Sequence, residues 1–169
     1  TMGGLYQHFT AIADAVSIPG ILYNVPSRTA LNMDSATTLR LADVPNIVGV
    51  KEASSDPDQI AYVIKDSPEG FRVWSGNDNE ILSTMAVGGY GIVSVAGNII
   101  SGQIQKMMGL LLEGDVEAAA AEHLRLLPIF NALFYITNPI PIRYAMNRSG
   151  FSVGPARLPM VPEPSELAA

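Results

Sequence analysis

Short apolar runs alternate along this chain with longer segments whose apolar residues recur every three or four positions. The runs are Gly20-Ile21-Leu22-Tyr23-Asn24-Val25, Ile47-Val48-Gly49-Val50-Lys51, Phe71-Arg72-Val73-Trp74-Ser75 and Gly91-Ile92-Val93-Ser94-Val95. Each has the length of a strand, and three are rich in Val and Ile, as strands buried on both faces are. The first helical segment precedes them, with Leu5, Phe9, Ile12, Ala13 and Val16 on one face. A second starts at Asp34, which can cap it, and runs to Ala42. Asp56-Pro57 opens a third, with Asp as cap and Pro at the first helical position. Asp78 opens a fourth, which ends at Gly88-Gly89.

Strand–helix repeats of roughly 20–28 residues argue for parallel strands joined by crossover helices. After the last strand the rhythm changes. Ile104 to Leu112, Val116 to Tyr135 and Ile140 to Asn147 read as successive helices, followed by the Pro-rich stretch 157–165. The polar residues choose among parallel folds. Tyr23 and Asn24, Lys51 and Glu52, Ser75 to Asp78, and Ser94 all collect at C-terminal strand ends. That is where a (β/α)8 barrel builds its active site. The predicted fold is therefore α/β, the C-terminal half of a TIM barrel. Residues 1–98 would supply strands five to eight of a longer parent, and residues 99–169 a helical region with a Pro-rich tail. A chain opening on Thr1 instead of Met fits that expectation.

Composition narrows the functional classes. With 48% hydrophobic and 15% charged residues the chain is globular, and its net charge of −6 argues against a nucleic-acid surface. The absence of cysteine removes disulfides, thiolate metal sites and a cysteine nucleophile. His8 and His123 stand far apart without metal-ligand spacing and read as surface or helix-packing residues. The uncharged stretch Ile81 to Gln105 is long enough to cross a bilayer, but Gly88, Gly89, Gly91, Gly97, Gly102 and Asn98 break it up. No membrane span and no signal peptide is expected.

Lys51 is the unusual residue. The other lysines, Lys65 and Lys106, fall in solvated helical stretches, whereas Lys51 closes an apolar strand. An amine buried without a partner gives up its proton, and a neutral lysine condenses with carbonyls to form a Schiff base. The plainer alternative is a strand-end lysine paired with a neighbouring carboxylate. One strand earlier, Tyr23-Asn24-Val25-Pro26-Ser27-Arg28-Thr29 offers a phenol suited to proton relay and, beyond a turn stiffened by Pro26, a guanidinium suited to a carboxylate. A half-buried strand aromatic and a surface ion pair are the plainer readings of Tyr23 and Arg28.

These residues resemble a known family. Tyr23 to Thr29 and Gly49-Val50-Lys51-Glu52-Ala53-Ser54 look like dihydrodipicolinate synthases, which are class I Schiff-base aldolases related to N-acetylneuraminate lyase. The likeness continues through Trp74 to Asp78, Gly88 to Val95, Asn138 to Pro141 and Arg157 to Met160. It implies that Lys51 forms an imine with pyruvate and that the derived enamine adds to aspartate semialdehyde, toward lysine and diaminopimelate biosynthesis. Tyr23 would shuttle protons, Arg28 would bind the semialdehyde carboxylate, and Gly76 and Val93 would contact pyruvate. No metal or organic cofactor would be needed beyond the covalent imine. The resemblance further implies a cytoplasmic homotetramer built from dimers. A threonine partner, a carboxylate-binding loop and a lysine feedback site would lie in a missing N-terminal half, so the isolated chain would have little activity. A sister aldolase acting on sialic or sugar acids, and a non-catalytic truncated subunit, are the alternatives.

Overall fold

Side chains placed to accept free amides begin most of the helices in the first part of the chain. In the computed structural model, which describes residues 1–161, Thr1 accepts from the Gly4 amide and starts α1 (Met2–Asp14). Asp34 accepts from the Thr37 amide at 2.8 Å and starts α3 (Ser35–Ala42). Asp56 accepts from the Gln59 amide at 3.0 Å and starts α4 (Pro57–Asp66), with Pro57 where a missing N–H costs nothing. Asp34 and Asp56 cap as the sequence predicts.

The fourth helix starts differently. The Ser75 hydroxyl donates to the Asn77 carbonyl and accepts from the Asn77 amide, which tightens the exit from the strand. Asp78 is then the first residue of a 3₁₀ turn, Asp78–Glu80, and the α-helix proper, α5, is Ile81–Ala86. A further short helix, α2 (Pro26–Thr29), occupies the segment read as a turn. It ends on Ala30 in the left-handed region at φ 55°.

The chain divides into two compact units, Thr1–Val93 and the part from Ser94 onward. The first holds the sheet: β1 (Gly20–Asn24), β2 (Ile47–Glu52), β3 (Arg72–Ser75) and β4 (Gly91–Ile92). All neighbours pair parallel, in the order β1-β2-β3-β4. Each crossover is helical, as parallel neighbours require. The last strand is shorter than predicted, because its fifth predicted residue, Val95, is already in a turn: its carbonyl accepts from the Asn98 amide.

Register sorts the side chains into two faces. Leu22, Val50 and Val73 lie in one cross-strand row and are buried against Leu41 of α3, Val63 of α4 and Ala13 of α1, with Leu5, Tyr6 and Phe9 of α1 packed around them. Leu41, Val50 and Val63 are fully buried, each contributing about 1.5–3 kcal/mol of apolar burial. The next row, Tyr23, Lys51, Trp74 and Gly91, points to the opposite face.

The second unit is helical: α6 (Gly97–Leu112), α7 (Val116–Ala132) and α8 (Ile140–Arg148). α6 starts earlier than the apolar spacing predicts and is kinked at Ile100. α7 ends at Ala132, not Tyr135, because the Phe134 and Tyr135 amides turn back to the Asn131 and Ala132 carbonyls. Glu122 of α7 accepts from Arg125 Nε at 2.9 Å and Nη2 at 2.7 Å, and its Oε1 lies 3.9 Å from Lys106 Nζ. His123 is a helix-packing residue, its ring 6.0 Å from that of Phe130. Of the Pro-rich tail, residues 162–165 lie outside the described residues. No helix among the described residues is long and apolar enough to cross a membrane.

Candidate active site

Two residues of the predicted site are direct cross-strand partners. Tyr23 of β1 pairs with Lys51 of β2, and Lys51 Nζ stands 4.2 Å from the centroid of the Tyr23 ring. The contact follows from the parallel register, which sets both side chains on the same face one strand apart. Trp74 continues the row on the other side of Lys51. Gly49 makes space for it: a Cβ there would stand 2.5 Å from a carbon of the Trp74 ring.

The burial of Lys51 is corrected by the structure. Lys51 is half-buried, because it points to the face of the sheet that the helices do not cover, where Ile21 and Tyr23 are about half exposed. The fully buried charge is its neighbour Glu52, one residue on and therefore on the helix-covered face.

Gly76 and Val93 lie just past the ends of β3 and β4, two rows beyond Tyr23 and Lys51 and on the same side of the sheet. The Val93 amide donates to the Ser75 carbonyl at 3.0 Å, and the Gly76 amide to the Glu52 carbonyl at 2.6 Å. A Cβ on Gly76 would come within 2.6 Å of the Ala53 Cβ, so glycine is required for the two strand ends to approach this closely. Arg28 lies in the last turn of α2, on an exposed part of the loop that follows β1. The structure thus brings Tyr23 and Lys51 into contact, sets Gly76 and Val93 along the same strand-end rim, and holds Arg28 on the adjoining loop.

Sequence reasoning missed Trp74 as the third member of the Lys51 row, and it gave Glu52 and Asn24 no role. For Glu52 and Asn24 the signal was parity: each immediately follows a site residue and so falls on the opposite face. Among the described residues no group of three His, Cys, Asp or Glu side chains is placed to hold a metal ion.

A family model described as the dihydrodipicolinate synthetase family matches residues 1–168. The chain belongs to this family. Among its curated relatives, 4-hydroxy-tetrahydrodipicolinate synthase of Symbiobacterium thermophilum is 55% identical over 159 residues, which cover 94% of this chain and 54% of the relative. The crystal structure of the family's enzyme from Cyanidioschyzon merolae with lysine bound matches at a TM-score of 0.96 and 39% identity, over 99% of this chain and 57% of that one. A crystal structure of the chloride-inhibited dihydrodipicolinate synthase from Acinetobacter baumannii, complexed with pyruvate, matches at a TM-score of 0.94 and 35% identity, over 99% of this chain and 58% of that one. The chain spans about half the length of the family members it matches. The sheet and its helices correspond to the C-terminal half of the family's TIM barrel.

Proposed function

We propose that the protein is a lyase that condenses pyruvate with aspartate 4-semialdehyde through a Schiff base on Lys51, giving 4-hydroxy-tetrahydrodipicolinate. The observation that carries the reading is the Lys51 amine standing over the Tyr23 ring at the C-terminal ends of two parallel strands. In the (β/α)8 architecture that end is the catalytic one.

The chemistry runs in steps that each leave one group in charge. The Lys51 amine adds to the pyruvate ketone carbon, and the resulting carbinolamine loses water to form an iminium ion. Loss of a proton from the pyruvate methyl carbon gives an enamine, whose carbon forms the new bond to the aldehyde carbon of the semialdehyde. The semialdehyde's own amine then attacks the imine carbon, closing the ring and releasing the Lys51 amine. Tyr23, whose ring Lys51 Nζ already contacts, carries protons to and from the carbinolamine oxygen. Arg28 takes the semialdehyde carboxylate on its planar fork. Gly76 and Val93 bound the pyruvate through backbone groups and close packing. In this scheme the imine on Lys51 is itself the electron sink, and no organic cofactor takes part.

The resemblance to the family further supports a cytoplasmic homo-oligomer, with a tetramer assembled as a dimer of dimers as the working state of the full-length parent.

Reduction with borohydride in the presence of pyruvate tests the first step. Peptide mapping is expected to find the added mass on Lys51 and not on Lys65 or Lys106. A full-length parent that stays unmodified overturns the proposal, whereas a folded 169-residue chain that stays unmodified overturns only its own competence for the first step. Turnover of aspartate semialdehyde against N-acetylneuraminate then separates the synthase from a sialic-acid lyase.

A further inference from the structure

Behind the Tyr23–Lys51 pair, on the helix-covered face, lies a polar cluster that the proposed chemistry never touches. Asn24 and Glu52 are cross-strand partners one residue beyond that pair. Asn24 Nδ2 donates to both carboxylate oxygens of Glu52, at 3.0 and 3.1 Å. The Ser54 amide donates to Glu52 Oε1 at 2.8 Å, and Gln59 Nε2 of α4 donates to Oε2 at 3.2 Å. The same cluster grips the chain after α2. Asn24 Nδ2 donates to Asn32 Oδ1 at 2.8 Å, and the Met33 amide donates to Asn24 Oδ1 at 3.0 Å. Asn32 Nδ2 in turn donates to Gln59 Oε1 at 2.8 Å.

A carboxylate with no exposed surface is costly unless its lone pairs are filled. Here neutral amides from β1, from the turn after β2 and from α4 fill them, so the anion can be accommodated only while those three elements keep their places. The ionised carboxylate accepts and never donates, which matches the donors directed at it. Because side chains alternate, whatever fixes Asn24 against Glu52 on one face also fixes Tyr23 against Lys51 on the other. Through Asn32 and Met33 the cluster also anchors the segment leading away from Arg28.

We propose that Glu52 is a positioning residue for the lyase reaction, an inference that rests on the function proposed above. Its buried carboxylate locks the ends of β1 and β2 so that Tyr23 meets Lys51. Through Asn24 and Asn32 it holds the loop that carries Arg28. Glu52 acts through its neighbours and touches neither substrate.

Two variants separate these effects. E52Q keeps the shape of the side chain but turns an amide NH2 toward groups that donate. N32A, at an exposed residue, removes the Asn32 bonds to Asn24 and Gln59 and leaves the Asn24, Ser54 and Gln59 donors to Glu52 in place. Both variants are made in the full-length parent, and the readouts are the rate of borohydride-trapped pyruvate adduct formation per folded site, the KM for pyruvate and the KM for aspartate semialdehyde. E52Q is expected to slow adduct formation about tenfold or more with little change in pyruvate KM, since a small misplacement of a reacting group costs rate and not uniform binding. N32A is expected to raise the semialdehyde KM about fivefold and to leave adduct formation unchanged.

A cluster that merely stabilises the fold would lower the folded fraction and leave every constant per folded site alone. That result overturns the positioning role. Should E52Q not accumulate as folded protein, N32A decides, and an unchanged semialdehyde KM overturns the link to Arg28. A wild-type protein that forms no adduct overturns the functional reading itself, an outcome distinct from a wild type that traps pyruvate and an E52Q variant that traps it equally fast.

Discussion

Lys51 and Glu52 are adjacent in sequence, yet one faces the uncovered side of the sheet and the other is sealed beneath helices. An apolar run signals that a strand is buried, but only its pairing decides which parity faces the helices. That is why the sequence pointed to a buried charge at this strand end and assigned it to the wrong member of the pair. His123 carries a separate consequence at the same scale. Burial pushes its imidazole below the ordinary value near 6.5, and its Nδ1 has no hydrogen-bond partner. The unfolded chain therefore takes up this proton before the folded one does. The stability tied to a neutral His123 is complete above about pH 6.5 and is lost progressively as pH falls from there toward the depressed folded value. Urea midpoints at pH 8 and pH 5 should show a smaller acid loss in His123→Gln than in the wild type. Equal losses would show that this imidazole does not govern the acid side.

At the scale of elements, local chemistry was legible and lengths were not. Asp34 and Asp56 announced their helices because a cap is decided within a few residues. The short span of β4 and the 3₁₀ turn at Asp78 depend on the turn at Val95 and on the doubly bonded Ser75 hydroxyl, which no periodicity encodes. The Asn24–Glu52 bond joins residues 28 apart, so it became visible only once register was known. Gly49 shows how register also constrains a residue that looked like filler in an apolar run. The Trp74 ring and the Arg72 backbone occupy the space where its side chain would be. Gly49→Ala should destabilise the protein by about 1–3 kcal/mol through overpacking, read as a lower urea midpoint with an unchanged slope. A midpoint equal to that of the wild type would mean that the Trp74 ring and the Arg72 backbone both give way freely.

For the molecule as a whole, the consequential feature is the sheet face of the first unit that its helices leave uncovered. Parallel sheets are ordinarily covered on both faces. Here Ile21 is 50% exposed, Tyr23 47% and Val93 43%, beside the half-buried Trp74. Register identifies the face that packs, by setting Leu22, Val50 and Val73 in one row against the helices. The opposite face carries Ile21 and Val93, so the strands read as continuous hydrophobic runs, and it is the polar residues at their C-terminal ends that point to a barrel. A surface of this kind attracts apolar dyes and other copies of itself. The 169-residue chain is therefore expected to enhance the fluorescence of anilinonaphthalene sulfonate and to sediment as a mixture of species whose mass rises with concentration. Ile21→Lys places a charge on that face, where the long side chain reaches water easily, and leaves the helix-side core untouched. It should reduce both the dye signal and the self-association while preserving the far-ultraviolet circular dichroism. If the dye signal persists undiminished in a variant with native circular dichroism, then this sheet face is not what the dye and the other copies bind.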